Sequence, residues 1–311
     1  MVRTRFAPSP TGHMHLGNVW VAFLNWLWTR QQKGTIVLRI EDIDRERCRP
    51  IYTKDLMDDL SWLGLSWDEG PGGTYSYGET VQRGRLPLYE ALRKEWEQEG
   101  RIYPCYCTRA RLRKIASAPH EGEEPPLYDG RCRNLSAEER AKETKPPSWR
   151  IRMEDTSVTV DDMIRGRLTK ELCAGRDDFV IVRADGMMAY QLAASFDDGA
   201  MGITHVFRGN DLLPSAFDQA WLLKAMGKAV PVYCHLPLLV DRDGVRLSKR
   251  QKGITVRELR EEGMTAEDII GRLLYYAGAL SRLERMSAEK AEREIPFASC
   301  VNLAKHTITV E

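Results

Sequence analysis

The chain has almost no net charge, no apolar run of membrane-spanning length, no export-type leader and no even set of cysteines. Each absence removes a class of protein. Its 46 Lys and Arg against 45 Asp and Glu leave +1, which excludes binding to nucleic acid through bulk charge and leaves only local patches for that work. Arg109, Arg111, Arg113, Lys114, Arg131 and Arg133 form one such patch, although a run of this kind is more often just a solvated face. No stretch approaches the roughly 20 apolar residues of a membrane helix. Arg3, Arg5, Pro8, Ser9 and Pro10 interrupt the start, which does not fit a secretory leader. Seven cysteines spread over 311 residues do not read as a disulfide scaffold. The expectation is a cytoplasmic protein with reduced thiols and no membrane contact.

What is present is ordinary globular material, 42% hydrophobic and 29% charged, enough for a sizeable core. Arg3 to Ala7 reads as a short strand ended by Pro8, and Pro8 to Gly12 as a turn. Trp20, Phe23, Leu24, Leu27 and Trp28 recur at helical spacing after Gly17 and Asn18. Thr35 to Ile40 is a buried strand, and Leu56, Leu60 and Leu63, closed by Gly64, mark the next helix. Strand, helix, strand, helix in this order predicts an α/β protein with a parallel sheet covered on both faces. A charged helix follows over Leu86 to Glu99.

Residues 101–178 read as an inserted subdomain, since the stretch from Ile102 to Trp149 is rich in cysteine, proline and charge and poor in periodicity. Residues 179–250 resume the sheet. Phe179 to Arg183 and Met187 to Leu192 flank Asp185-Gly186 as a hairpin, and Ile203 to Phe207 and Cys234 to Val240 are further strands. Residues 251–311 are mostly helical in pattern, and Ser287 to Glu311 has no role that the sequence defines.

Two motifs carry chemistry. Pro8-Ser9-Pro10-Thr11-Gly12-His13-Met14-His15-Leu16-Gly17-Asn18 lies where the first strand meets the first helix, the usual phosphate site of an open α/β sheet. Gly17 admits a base or phosphate close to the backbone. His15 and Asn18 offer side-chain donors where negative charge grows on the α-phosphate. His13 is assigned no role. The second motif, Arg246-Leu247-Ser248-Lys249-Arg250, is a basic loop between Gly244 and Gly253, and Lys249 can place an ammonium on leaving pyrophosphate. Taken singly, each is as readily a capped turn or a basic surface turn. As a pair, each following a strand, they point to a nucleotide site on one sheet edge.

These two motifs resemble the HIGH and KMSKS signatures of class I aminoacyl-tRNA synthetases. The surrounding wording is similar to the catalytic domain of glutamyl-tRNA synthetases from about Val2 to about Gly278: Arg5 to Gly12, Leu38 to Asp44, Gly64 to Asp68, Phe207 to Leu212 and His235 to Leu238. The resemblance implies a Rossmann-type catalytic domain, in halves 1–100 and 179–250, interrupted by an acceptor-binding-like insertion. It implies Arg5, Ala7, Ser9, Glu41, Tyr190 and Arg208 as the glutamate pocket. Glu41 would take the α-ammonium and Arg208 a carboxylate, as an acidic amino acid requires. It implies Pro8, His15, Gly17, Asn18, Ser248 and Lys249 around ATP, with His15, Asn18 and Lys249 acting on the phosphates and Mg2+ accompanying them.

Cys105-x-Cys107 puts two thiols on the same side of an extended segment, and Cys132 supplies a third, a pattern that fits structural zinc. On chemistry alone the fourth ligand stays open among Tyr128, His120 and Asp129. The C-x-C, Y-x-x-x-C arrangement resembles that of glutamyl-Q tRNA(Asp) synthetases, short relatives of glutamyl-tRNA synthetases, and so implies Tyr128. Cys48, Cys173, Cys234 and Cys300 read as packing residues. Only 58 residues follow Gly253, too few for an anticodon-binding region, and no histidine follows Asp211. The short-relative resemblance implies a monomer that activates L-glutamate with ATP and transfers it to the queuosine base of tRNA(Asp). A truncated synthetase charging tRNA(Glu) and a non-catalytic RNA-binding relative are the alternatives.

Overall fold

Side chains alternate between two cores along the central strands, and that alternation explains the layers. The computed structural model describes residues 1–74, 78–108, 110–112, 128–244, 255–301 and 307–310. The chain opens with β1 (Arg3–Phe6), α1 (Leu16–Gln31), β2 (Thr35–Leu38), α2 (Pro50–Trp62) and α3 (Gln82–Gln98). Next come β3 (Ile102–Cys105), α4 (Ala137–Ala141), β4 (Ser148–Ile151), β5 (Thr156–Asp162), β6 (Gly166–Leu172) and β7 (Val180–Val182). Then follow α5 (Tyr190–Ala200), β8 (His205–Gly209), α6 (Leu213–Ala225), β9 (Val232–Leu236) and β10 (Leu238–Val240). The last elements are α7 (Val256–Glu261), α8 (Ala266–Ala277), α9 (Ala288–Glu294), α10 (Phe297–Cys300) and β11 (Thr307–Thr309). Among the described residues no helix is long and apolar enough to cross a membrane.

The main sheet has the order β2-β1-β8-β9-β5-β6, and every neighbouring pair is parallel except the β5–β6 hairpin. Ile36, Leu38, Phe207, Cys234 and Leu236 face a core shared with α1, α2 and α8. Val37, Val206 and Tyr233 point the other way, into a core shared with α3, α5 and α6. This is the period-two alternation of a strand with both faces covered. From β1 the chain moves outward to β2, and from β8 it moves outward to β9 in the opposite direction. The boundary between β1 and β8 is therefore a topological switch point, with a crevice at the carboxyl ends of the strands.

Four expectations meet a different outcome. The second arm of the Asp185-Gly186 hairpin ends almost at once: Val182 bridges Met188, and from Tyr190 the chain is helix α5. The strand expected over Cys234 to Val240 is divided into β9 and β10, because Pro237 has no N–H for a sheet ladder. β5 and β6, inside the segment read as an insertion, extend the main sheet beside β9, whereas β3, β4 and β7 form a separate antiparallel sheet. The tail also has a place. The Gln31 amide donates to the Glu292 and Ile295 carbonyls at 3.0 and 2.8 Å, and β11 pairs with β10.

Candidate active site

A buried ion network fills the switch-point crevice. Arg5 ends up there because it stands near the end of β1, and Arg39 and Glu41 because they follow β2 directly. The Arg39 amide donates to the Phe6 carbonyl and the Glu41 amide to the Pro8 carbonyl, which ties the two strand ends together. Arg39, fully buried, donates to Asp198 at 2.6 Å and to Glu41 at 2.9 Å. Arg5 donates to Asp198 at 3.3 Å and to the Phe207 carbonyl at 3.2 Å. Beneath them Asp197 accepts from Gln82, Arg85 and Tyr89 at 2.9, 2.6 and 2.8 Å. Burial raises the Glu41 pKa, against the pull of Arg39 and Arg5. Burial would raise Asp198 too, but the guanidiniums of Arg39, Arg5 and Arg208 hold it below the ordinary carboxylate range.

Arg208 leaves the end of β8 with 4% exposure, and two of its three nitrogens are fixed. Its Nε donates to His235 Nε2 at 3.0 Å and its Nη1 to Gln219 Oε1 at 2.6 Å, while the guanidinium lies 4.9 Å over the Tyr233 ring. Nη2 is buried and has no hydrogen-bond partner. A buried guanidinium donor without an acceptor is costly, so this nitrogen is a natural place for a ligand carboxylate. Tyr190, at the start of α5, lies close enough to act electrostatically on Tyr233.

Beside this network is a second cavity of about 230 Å³, lined by His15, Gly17, Asn18, Trp20, Gly209, Asp211 and Pro237 among others. Trp20, Val21, Leu238 and Leu239 give it an apolar side, and Gly17 and Gly209 leave room along the other. His15 precedes α1 in an extended conformation, with its amide donating to Asn18 Oδ1 at 3.4 Å. Burial lowers the His15 pKa, so its imidazole is neutral, and its Nδ1 has no partner. A Cβ on Gly17 would stand 3.1 Å from the His15 ring, and one on Gly209 would reach Leu238 at 2.9 Å. Side chains at either place would intrude on the cavity walls.

At the far end of β3, the sulfurs of Cys105, Cys107 and Cys132 converge within 4.8 Å of one another. Cys107 and Cys132 are 3.7 Å apart, and Cys105 lies 3.7 Å from the Tyr128 hydroxyl. Tetrahedral zinc with sulfur at roughly 2.3 Å needs ligands ~3.8 Å apart, so the donors fit that ion. Arg150 donates to the Cys105 sulfur and Arg111 to that of Cys107, both at 3.3 Å. Burial works to raise the Cys105 thiol, but the Cys107 amide and Arg150 outweigh it and the net shift is downward. Burial beside Cys105 and Cys132 pushes Cys107 up to about 12. Asp129 is engaged by Arg111, the Tyr128 hydroxyl stands beside the Cys105 sulfur, and His120 lies outside the described residues.

Arg5, Glu41 and Arg208 thus meet in one network, with Tyr190 at its side. Ala7 and buried Pro8 pass beside Glu41 as backbone, and Ser9 is exposed on the turn. His15, Gly17 and Asn18 share the second cavity. Ser248 and Lys249, with the whole basic loop, lie outside the described residues, but Thr255 just beyond it bridges His15. In the basic patch Arg111 is paired with Asp129 and Arg133 with Asp178, Arg131 is exposed, and Arg109, Arg113 and Lys114 lie outside the described residues. Sequence reasoning missed Arg39, Asp162, Asp197, Asp198, Gln219 and His235. The signal available was two adjacent acids, Asp197-Asp198, in an otherwise apolar segment.

Comparison with known proteins agrees with this geometry. The chain is 46% identical to a glutamyl-Q tRNA(Asp) synthetase of Symbiobacterium thermophilum, covering 93% of this chain and 91% of that protein. It is 45% identical to another from Nitratidesulfovibrio vulgaris, over 90% and 87% of the two chains. The crystal structure of a glutamate-tRNA synthetase from Elizabethkingia anophelis superposes with a TM-score of 0.81 at 29% identity, covering all of this chain and 68% of that one. Residues 1–293 match the family described as tRNA synthetases class I (E and Q), catalytic domain. The chain belongs to the class I tRNA synthetase family for glutamate and glutamine, and the crevice between β1 and β8 is part of that family's catalytic domain.

Proposed function

We propose that this enzyme activates L-glutamate with ATP and transfers the glutamyl group to the queuosine base of tRNA(Asp). The observation that carries the amino-acid half is the buried, unpartnered Nη2 of Arg208, in one ion network with the buried Glu41 carboxylate through Asp198 and Arg39. Together they offer a cationic donor for a carboxylate and an anionic acceptor for an ammonium. The acceptor half rests on the names of the relatives that match the chain almost end to end.

In the first step a glutamate α-carboxylate oxygen attacks the α-phosphorus of ATP, the bond to the β-phosphate oxygen breaks, and pyrophosphate leaves. Glutamyl-adenylate remains. Neutral His15 and Asn18 in the second cavity donate to phosphate oxygens as their charge grows, and Lys249 stabilises the departing pyrophosphate. Arg5, Ser9, Glu41, Tyr190 and Arg208 hold the amino acid, with Ala7 and Pro8 as backbone walls. Gly17 and Ser248 border the nucleotide. In the second step a hydroxyl of the modified base attacks the activated carbonyl and AMP leaves. Positioning and electrostatics account for catalysis, with no covalent protein intermediate. Magnesium bound with ATP would neutralise phosphate charge. Zinc, held by Cys105, Cys107, Cys132 and Tyr128, would fix the segment after β3.

The test has two stages. Glutamate-dependent exchange of pyrophosphate into ATP is measured without RNA, then transfer of labelled glutamate to tRNA(Asp) with and without queuosine. Exchange without RNA and labelling of only the queuosine-containing tRNA is the expected result. A requirement for tRNA(Glu) in exchange, with label on its 3′ end, would replace this function with ordinary charging.

A further inference from the structure

Beneath Arg208 is a buried pair that the reaction does not use directly, His235 and Asp162. His235 stands on β9, fully buried, and Asp162 is the last residue of β5. The His235 Nδ1 lies 2.6 Å from Asp162 Oδ2, and the His235 amide donates to the same oxygen at 3.1 Å. The other Asp162 oxygen accepts the amides of Ile164 and Arg165 at 2.9 and 2.8 Å. This carboxylate is therefore fixed on both sides by backbone.

The protonation pattern follows from the partners. Arg208 Nε always carries hydrogen, so His235 Nε2 must be the acceptor of their 3.0 Å bond. The imidazole is then neutral with its proton on Nδ1, which donates to Asp162. In the other tautomer, two N–H groups would face each other between His235 and Arg208. That would displace the guanidinium and with it the unpartnered Nη2.

We propose that Asp162 and His235 are positioning residues for amino-acid recognition: Asp162 selects the His235 tautomer, and that tautomer holds Arg208 with its free Nη2 aimed at the substrate carboxylate. The inference rests on Arg208 as the carboxylate-binding residue of the proposed function. It separates two roles for one guanidinium, since Nε and Nη1 are spent on His235 and Gln219 and only Nη2 is left for ligand. It also extends the site from β8 across β9 to β5, a strand that lies in sequence between β4 and β7 of the small antiparallel sheet.

The substitution Asp162→Asn tests it, because it keeps the size of the side chain and its acceptor toward Ile164 and Arg165. Its new NH2 then faces His235 Nδ1 and forces the ring into the other tautomer, as it does in another His–carboxylate pair. It also gives up the bond from the His235 amide, whose cost the melting temperature reads separately. His235→Gln is the companion variant. It retains an acceptor for Arg208 Nε with no tautomer for Asp162 to select, so adding Asp162→Asn to it should raise the glutamate KM far less than Asp162→Asn does alone. The lost bond from the residue-235 amide is then read as a lower melting temperature. Exchange kinetics and thermal melting are recorded for all three variants. The 15N–1H correlations of His235 are recorded for the two proteins that retain it, the wild type and Asp162→Asn.

The expected result is a glutamate KM raised about tenfold or more in Asp162→Asn, with the ATP KM within twofold. His235→Gln should raise the glutamate KM less than Asp162→Asn does, and the double variant should add less than about threefold to it. The NMR pattern should show Nδ1–H in wild type and Nε2–H in Asp162→Asn. An unchanged tautomer and glutamate KM in Asp162→Asn would overturn the proposal. So would variants that move both KM values and kcat together with a lowered melting temperature, which is what a merely structural pair would give. Wild-type protein without glutamate-dependent exchange would sink the proposed function instead, and the tautomer measurement would still decide the relay.

Discussion

The amino-acid pocket and the nucleotide cavity lie side by side in one crevice, yet they are made of different materials. The first is built from interlocked, buried charges: Arg5, Arg39, Glu41, Asp197, Asp198 and Arg208. The second sits at a helix N-terminus, with His15, Asn18, two glycines and the apolar side chains of Trp20, Val21, Leu238 and Leu239. The difference teaches how the recognition is divided. Under the proposed function, glutamate differs from glutamine in its side-chain charge, so charges fixed in the fold would read it. ATP would be read by close approach, so space is what that cavity has to keep. Changes to the first region should act on glutamate and on stability, and changes to the second on ATP alone.

The largest effect is expected where a buried charge loses its partner. Arg39→Met takes the hydrogen-bonded partner from Glu41 and leaves Asp198 with Arg5 alone, and should cost ~3–5 kcal/mol of stability, seen as a lower urea midpoint. A cost below ~1 kcal/mol would mean the network is solvated, against its burial. Next, Arg208→Gln should raise the glutamate KM in exchange about a hundredfold, ~2.8 kcal/mol, and leave the ATP KM alone. Equal changes in both constants would erase the division between the two regions.

Gly17→Ala should do the reverse. The added methyl presses on His15 and should raise the ATP KM about tenfold while glutamate binding stays within twofold. The smallest and most diagnostic change comes from pH. Glu41 must be ionised to bind an ammonium, and burial has raised its pKa. The glutamate KM should therefore climb as pH falls through that raised value, earlier than an ordinary carboxylate would require, with the ATP KM flat. The sign for stability is opposite. Between its ordinary and raised values Glu41 binds more protons folded than unfolded, so its titration removes stability as pH rises through that window. Asp198, held low by arginines, adds stability above the ordinary carboxylate range and loses it as pH falls.

Much of this was legible in the chain. The strand–turn–helix at Arg3 to Gln31, the strand at Thr35 and the helix closed by Gly64 follow from turn chemistry and periodicity. The resemblance then gathered Arg5, Glu41 and Arg208, which the structure joins through Asp198. Other parts were not legible, for identifiable reasons. Met187 to Leu192 is a short apolar run that fits strand or helix equally, and reading it as strand hid α5 with Asp197 and Asp198. His235 and Asp162 are 73 residues apart, and only the parallel pairing of β5 with β9 brings them together. Partnerships of this kind depend on register, which a local pattern does not encode. The cysteine cluster was read from spacing, but the guanidiniums of Arg111 and Arg150 on its sulfurs were not.

The central claim is that charge in the Arg208 pocket reads the amino acid, and amino-acid selectivity in RNA-free ATP–pyrophosphate exchange tests it most directly. Glutamate and glutamine are compared at equal concentration. The account predicts exchange with glutamate and at least a hundredfold lower kcat/KM with glutamine, whose neutral amide cannot replace a carboxylate on a buried guanidinium. Comparable exchange with glutamine would contradict it.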